Sequence, residues 1–171
     1  MMLRLIRWLA IRSIAFAAIA LVTVASATAA EFKPFTAQSI DTIRAVHAGK
    51  PFILAFWSIY CEPCRDEMAV WKATGAKHPD VPIVLVATDA LAEDVTMKRF
   101  LAQYDPGPVE AWAFADEFSE RVRFAVDRTW RGELPRAYFF DATGRSEAHS
   151  GVVDNQWVES WTARQRATGQ R

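Results

Sequence analysis

Phe52-Ile53-Leu54-Ala55-Phe56-Trp57-Ser58-Ile59-Tyr60-Cys61-Glu62-Pro63-Cys64 runs from a six-residue apolar block into two cysteines separated by two residues. A block this short, apolar on both faces and bounded by turn chemistry, reads as a central strand covered by helices on each side. Pro63 suits the first turn of a helix, where its missing N–H has no helical partner. The cysteines therefore fall directly after a strand and at a helix start. The thiolate is the nucleophile of disulfide exchange, and a helix N-terminus stabilises it through unpaired N–H groups and the positive end of the dipole. Cys61 is expected to be the exposed attacking residue. Cys64, one turn inside, is expected to be the buried residue that resolves the mixed disulfide. Two intervening residues suffice to close a small disulfide, and Pro63 limits its geometries.

Strand and helix patterns alternate on both sides of this stretch. Met68, Trp71 and Gly75 mark the inner face of the helix that follows the cysteines, and Val81 to Thr88 reads as a second buried strand. Met97, Phe100, Leu101 and Tyr104 fall at i, i+3, i+4 and i+7, one helical face, which Asp105-Pro106-Gly107-Pro108 stops. Val109 to Ala115 reads as a short strand, and Phe118, Val122 and Ala125 as a helix. Ala137 to Asp141 and the segment after Gly144 suggest a hairpin, and Trp157, Val158 and Trp161 an amphipathic last helix. Upstream, Thr36 is expected to cap a helix carrying Ile40, Ile43 and Val46. Without an internal repeat or low-complexity linker, residues 31–171 read as one α/β domain.

Composition narrows the function classes. The chain has 171 residues, 51% hydrophobic, with Lys+Arg 20 against Asp+Glu 20, enough for one packed core. Gly 7 and Pro 8 are ordinary numbers, which sets aside collagen-like and disordered classes. Balanced charge offers no footprint for nucleic acid, which needs clustered Lys and Arg. Residues 1–30 read as an export segment: Arg4, Arg7 and Arg12 precede an apolar middle from Ile14 to Val24, and Ala27-Thr28-Ala29 offers a small-x-small cleavage site. The alternative is an uncleaved anchor, although a span needs roughly 20 apolar residues. Either reading sends the domain out of the cytoplasm, to a periplasmic, oxidising compartment in which a cysteine pair forms a disulfide.

A cysteine pair has other uses. A structural zinc needs four ligands, and no second cysteine pair exists; His47, His78 and His149 are scattered and read as surface or loop histidines. An inert disulfide more often links distant segments. Both thiolates also suit Cu(I), a soft ion, so a copper carrier is the rival from another class, with Met68 nearby but no Met or His cluster.

A second feature lies far along the chain. Leu134-Pro135 stands just before Arg136-Ala137-Tyr138-Phe139-Phe140-Asp141, and proline at a strand start is a candidate cis position. With Phe56-Trp57, the Cys61–Cys64 pair and the Phe140-Asp141…Gly144 hairpin, the sequence resembles the thioredoxin superfamily. That resemblance implies a thioredoxin-like fold, a central mixed sheet flanked by helices, in which a cis-proline loop faces the cysteines and docks the substrate backbone. The extra strand–helix material between Ala87 and Trp130, and the string Cys61-Glu62-Pro63-Cys64-Arg65-Asp66-Glu67-Met68, look like the exported TlpA/ResA-type branch. This implies a protein-disulfide reductase of the cytochrome c maturation or oxidase-assembly type. Its electrons would come from a membrane-embedded donor, with no cofactor beyond the cysteines. The competing direction is a disulfide oxidase or isomerase.

Carried over residue by residue, the resemblance makes Cys61 and Cys64 catalytic and Glu67 the acidic group that shuttles a proton. Glu67 has an alternative reading as a solvated helix residue. Leu134 and Pro135 would dock substrate; Tyr60 stands where the family usually has Trp and is expected to cover the same sulfur. Departures are Ala55, where cytoplasmic thioredoxins carry a buried Asp, and Arg136, where the family usually has Thr. Of the tryptophans Trp71, Trp112, Trp130, Trp157 and Trp161, most read as core. Trp57 and Trp130 are the two expected at a substrate surface. Glu62 and Pro63, between the cysteines, would tune the potential. Negative charge at Glu62, Glu67 and Glu133 disfavours the Cys61 thiolate and argues for a reductant, unless Arg65, Arg131 or Arg136 point inward.

Overall fold

The computed structural model describes residues 31–169, so the expected export segment lies outside the described residues. Strands β1 (Lys33–Phe35), β2 (Phe52–Trp57), β3 (Ile83–Ala90), β4 (Glu110–Phe114), β5 (Arg136–Phe140) and β6 (Ser146–Ser150) make one sheet in the order β1-β4-β3-β2-β5-β6. The first four in that order run parallel, and β5 and β6 are antiparallel additions. Helices α1 (Ser39–Val46), α2 (Glu62–Lys77), α3 (Asp94–Tyr104), α4 (Ser119–Val126) and α5 (Asn155–Gly169) cover the two faces. The chain has the mixed, helix-flanked sheet of the thioredoxin-like fold, and the material between Ala87 and Trp130 supplies α3, β4 and α4.

Strand β2 is buried along all six residues because it lies between β3 and β5 under helices on both sides. Successive side chains point to opposite faces. Ile53, Ala55 and Trp57 join Met68 and Trp71 of α2, Met97 and Phe100 of α3, and Trp161 of α5. Phe52, Leu54 and Phe56 pack with Ile40 and Ile43 of α1, Val122 of α4 and Trp130. Two cores thus sandwich the sheet, and the cysteine helix belongs to the first.

Several local expectations shift. β1 escapes sequence patterning because only Phe35 of its three residues is buried, while Lys33 and Pro34 face solvent at the sheet edge. Thr36 is not the cap of α1; its carbonyl accepts the Ser39 N–H at 3.0 Å and its own N–H donates to Ser39 Oγ at 2.9 Å, so the helix begins three residues later. Val46 and Phe118 stand 70% and 58% exposed instead of completing apolar faces. β3 starts at Ile83 because the Val81 N–H is taken by the His78 carbonyl in the turn that closes α2. His78 itself is not a surface histidine: it is buried, with Nε2 2.9 Å from Glu159 Oε1 and Nδ1 accepting from Arg166 at 2.7 Å. That contact ties the end of α2 to α5.

Candidate active site

The Cys61–Cys64 disulfide opens α2. Cys61 is the N-cap, its Sγ accepting the Cys64 N–H at 3.2 Å, and Pro63 occupies the first turn, where no helical bond is lost. Cys61 is partly exposed. Cys64 is fully buried, among the residues that include Met68, Trp71, Ala137 and Val153.

The loop from β2 to Cys61 is held by a carboxylate that sequence patterning did not single out. Asp89, buried near the end of β3, accepts the Ser58 hydroxyl at 2.9 Å through Oδ1 and the Ile59 N–H at 3.0 Å through Oδ2. Ser58 Oγ in turn accepts the Tyr60 N–H at 3.1 Å, and the Ser58 carbonyl accepts the Cys61 N–H at 3.1 Å. Four consecutive residues are thereby fixed from one side chain on a neighbouring strand. The signal was one acid in an otherwise apolar strand, Ile83-Val84-Leu85-Val86-Ala87-Thr88-Asp89, where a buried carboxylate must find donors.

Leu134–Pro135 is a cis peptide. The β2–β5 register pairs Phe56 with Arg136, so Pro135 falls beside the end of β2 from which the cysteine loop departs. Its carbonyl accepts the Gly151 N–H at 2.9 Å, and Trp130 Nε1 donates to the Glu133 carbonyl at 3.0 Å. Leu134 is partly buried against both cores.

Glu67 is no solvated helix residue. It is 1% exposed; Oε1 accepts the Val153 N–H at 3.0 Å, and among the described residues Oε2 has no partner. Burial pushes its pKa up to about 7, against the Val153 amide and the nearby Trp71 indole, which favour the charged form. Among the described residues the Trp71 N–H makes no hydrogen bond.

Three expectations are corrected. Trp57 is 1% exposed and stacked on Phe100 at 4.7 Å between centroids, and Trp130 is buried against Phe56, so neither presents a substrate surface. Tyr60 is 78% exposed, with its hydroxyl donating to Glu93 Oε2 at 3.4 Å, so it lines an open groove against α3 instead of sealing the sulfur. Arg136 lies on the α1–α4 side of the sheet with Tyr138, bound to Asp127 at 2.7 Å, to Glu133 at 3.3 Å and to Ser150. Glu133 is therefore neutralised locally and Glu67 is poised near neutrality, leaving Glu62 as the exposed carboxylate between the cysteines. Among the described residues no group of three or more His, Cys, Asp or Glu side chains is placed to hold a metal ion.

No protein-family model matches the chain. The chain is 35% identical over 57 residues to the thiol-disulfide oxidoreductase ResA of Bacillus thuringiensis subsp. konkukian (strain 97-27), an alignment covering 33% of each protein. It is 26% identical over 102 residues to ResA of Oceanobacillus iheyensis, covering 58% of this chain and 48% of that one. The match thus spans about a third of the length of the first of these relatives and about half of the second. Among solved structures, a secreted Mycobacterium tuberculosis disulfide oxidoreductase homologous to Escherichia coli DsbE superposes with a TM-score of 0.58 at 23% identity, covering 70% of this chain and 85% of that one. StoA from Bacillus subtilis gives 0.50 at 17%, covering 67% and 84%. With the disulfide at a helix N-terminus and this shared sheet, the chain has a thioredoxin-like fold, and over about a third of its length it is similar to the thiol-disulfide oxidoreductases named ResA.

Proposed function

We propose that the protein is an exported thiol–disulfide oxidoreductase that reduces disulfides in protein substrates. The observation that carries this reading is the unequal exposure of two sulfurs at one helix start: Cys61 is reachable and Cys64 is fully buried. In the dithiol form, the Cys61 thiolate attacks one sulfur of a substrate disulfide and expels the other as a thiolate, which takes a proton. The Cys64 thiolate then attacks Cys61 Sγ, releasing the second substrate thiol and closing the Cys61–Cys64 disulfide. Two electrons have passed to the substrate, and a dithiol donor in the membrane returns them.

Glu67, one helical turn beyond Cys64, is the group to accept the Cys64 proton. A carboxyl with a pKa of about 7 exchanges protons near neutrality, where an ordinary Glu is already ionised. Leu134, Pro135 and Tyr60 dock the substrate chain beside Cys61. Glu62 and Pro63 set the potential, and the apolar wall of Met68 and Trp71 disfavours charge on Cys64, which favours the disulfide and hence a donor of electrons. Work outside the cytoplasm agrees with the basic and apolar first thirty residues, and the resemblance of the Cys61 to Met68 string to the exported branch is what points to cytochrome c maturation or oxidase assembly.

The opposite direction has one observation in its favour, the Cys64 N–H on Cys61 Sγ, a bond that stabilises a thiolate. Equilibration with thiol buffers decides between them. A potential near or below about −250 mV, close to thioredoxin's ~−270 mV, supports the reductase; one near the ~−120 mV of strong periplasmic oxidants overturns it.

A further inference from the structure

Beside Cys61, the loop after β2 and the exposed face of α3 enclose a groove of about 280 Å³. Phe100 lies along it, nearly buried, with Tyr60 and Tyr104 as aromatic walls; Arg65 of α2 and Arg99 of α3 reach in from two helices, with Gln103 next to Arg99 on the same helix face. Among the described residues neither guanidinium makes an ion pair, and no carboxylate lines the groove. The nearby cation Lys98 is by contrast already paired with Asp94 at 2.6 Å, and Glu93 is engaged by the Tyr60 hydroxyl.

Two unpaired guanidiniums in a groove that also has aromatic walls suit a carboxylate on an extended chain. Guanidinium binds carboxylate through forked N–H donors, and the aromatic faces take the aliphatic or aromatic neighbours. Because Tyr60 directly precedes Cys61 and lines the groove, a chain whose sulfur reacts at Cys61 has this groove within reach past Tyr60. We infer that the groove is a specificity subsite for acidic residues flanking the substrate's reactive cysteine. The inference deepens the oxidoreductase reading and rests on it. It names a substrate class: protein segments carrying Asp or Glu within a few residues of the disulfide. Glu62 and Asp66, on the exposed side of α2, would repel such a chain if it ran along that helix, which favours the path over α3.

The test compares two peptides, identical except that Glu residues flanking one cysteine in the first are Gln in the second. Binding to the oxidised full-length protein is read by fluorescence anisotropy, which needs no turnover. Exchange with the reduced protein is read in parallel on the two peptides as disulfides. Two exposed charge pairs predict about a fivefold preference for the Glu peptide in both readouts, fading in 1 M salt. The Arg65→Gln/Arg99→Gln double variant brings the Glu-to-Gln ratio close to one, and Arg65→Lys/Arg99→Lys retains part of it. Equal binding of both peptides, or a preference that survives the double Gln variant, overturns the inference. Failure of both peptides to exchange, with the binding preference intact, overturns the oxidoreductase reading and leaves an acidic-peptide site standing.

Discussion

Val153 donates its backbone N–H to Glu67 Oε1 at 3.0 Å, joining α2 to the segment that leads into α5 through one fully buried bond. Half of the carboxyl is satisfied and the other half is not, since among the described residues Oε2 meets no donor. A carboxyl in that setting favours its neutral form, and this has a consequence for stability. The folded pKa is about 7 against an ordinary 4.5, so the folded state holds the proton more tightly than the unfolded chain. The stability this contributes is complete below about pH 4.5 and is lost as pH rises through 7. The loss amounts to about 3 kcal/mol. Urea unfolding of the oxidised protein between pH 4 and pH 8 is expected to show it, and Glu67→Gln is expected to flatten the profile. An unchanged slope in the variant would place the titration elsewhere.

Buried hydrogen bonds at Asp89 give a sharper structural prediction. Replacing Asp89 by Ala leaves the Ile59 N–H and the Ser58 hydroxyl without acceptors in the interior. Each orphaned donor costs about 1–3 kcal/mol. Denaturant unfolding is expected to show a loss in that range or somewhat above it. Because the bonds fix the loop that carries Cys61, equilibration with thiol buffers should also report a changed potential. Ser58→Ala, which removes one donor and one acceptor together, is expected to cost less.

Behind the proline loop, Asp127 and Arg136 are bonded at 2.7 Å. Burial alone would raise the Asp127 pKa, but hydrogen bonds from Thr129, Arg136 and Tyr138 outweigh it and hold it down to about 2. Here the sign is opposite to that of Glu67: the stability is present above about pH 3.8 and lost as pH falls through 2. Its size is up to about 2 kcal/mol, less whatever solvent screens. Asp127→Asn should reduce the acid sensitivity of unfolding below pH 4. Arg136→Met, by freeing Glu133 and Ser150, should weaken substrate docking and appear as a raised KM more than a lowered kcat.

These residues mark how far local sequence patterns reach. The β2–cysteine–helix unit was legible because three signals coincide over Phe52 to Cys64: a short doubly apolar block, a proline at a helix start and cysteines spaced one turn apart. The Leu134–Pro135 loop was legible from its place before an apolar strand. Side-chain destinations were not. Trp57 looks like a surface candidate by its closeness to the cysteines, but strand alternation sends it inward to Phe100. Arg136 and Glu133 look like charges bearing on Cys61, yet the pleat turns Arg136 to the opposite face. Asp89 acts across thirty residues of sequence on Ile59, a relation created by parallel pairing of β2 and β3 and invisible to any local window. His78 is likewise buried by a partner 81 residues away.

The exposure of the cysteines predicts an asymmetry in trapping. With Cys64 replaced by Ser, a disulfide formed between Cys61 and a substrate has no internal thiol to resolve it and should persist. With Cys61 replaced by Ser, the remaining sulfur of Cys64 is wholly buried behind Met68 and Trp71, so attack on an external disulfide should be slower by about tenfold or more. Incubating each reduced variant with a peptide disulfide and following the adduct mass over time separates the two. Persistent adducts on Cys64→Ser and few on Cys61→Ser assign attack to Cys61. Equal adducts on both would mean that α2 opens readily, and would reverse the ordering of the two thiols on which the exchange scheme depends.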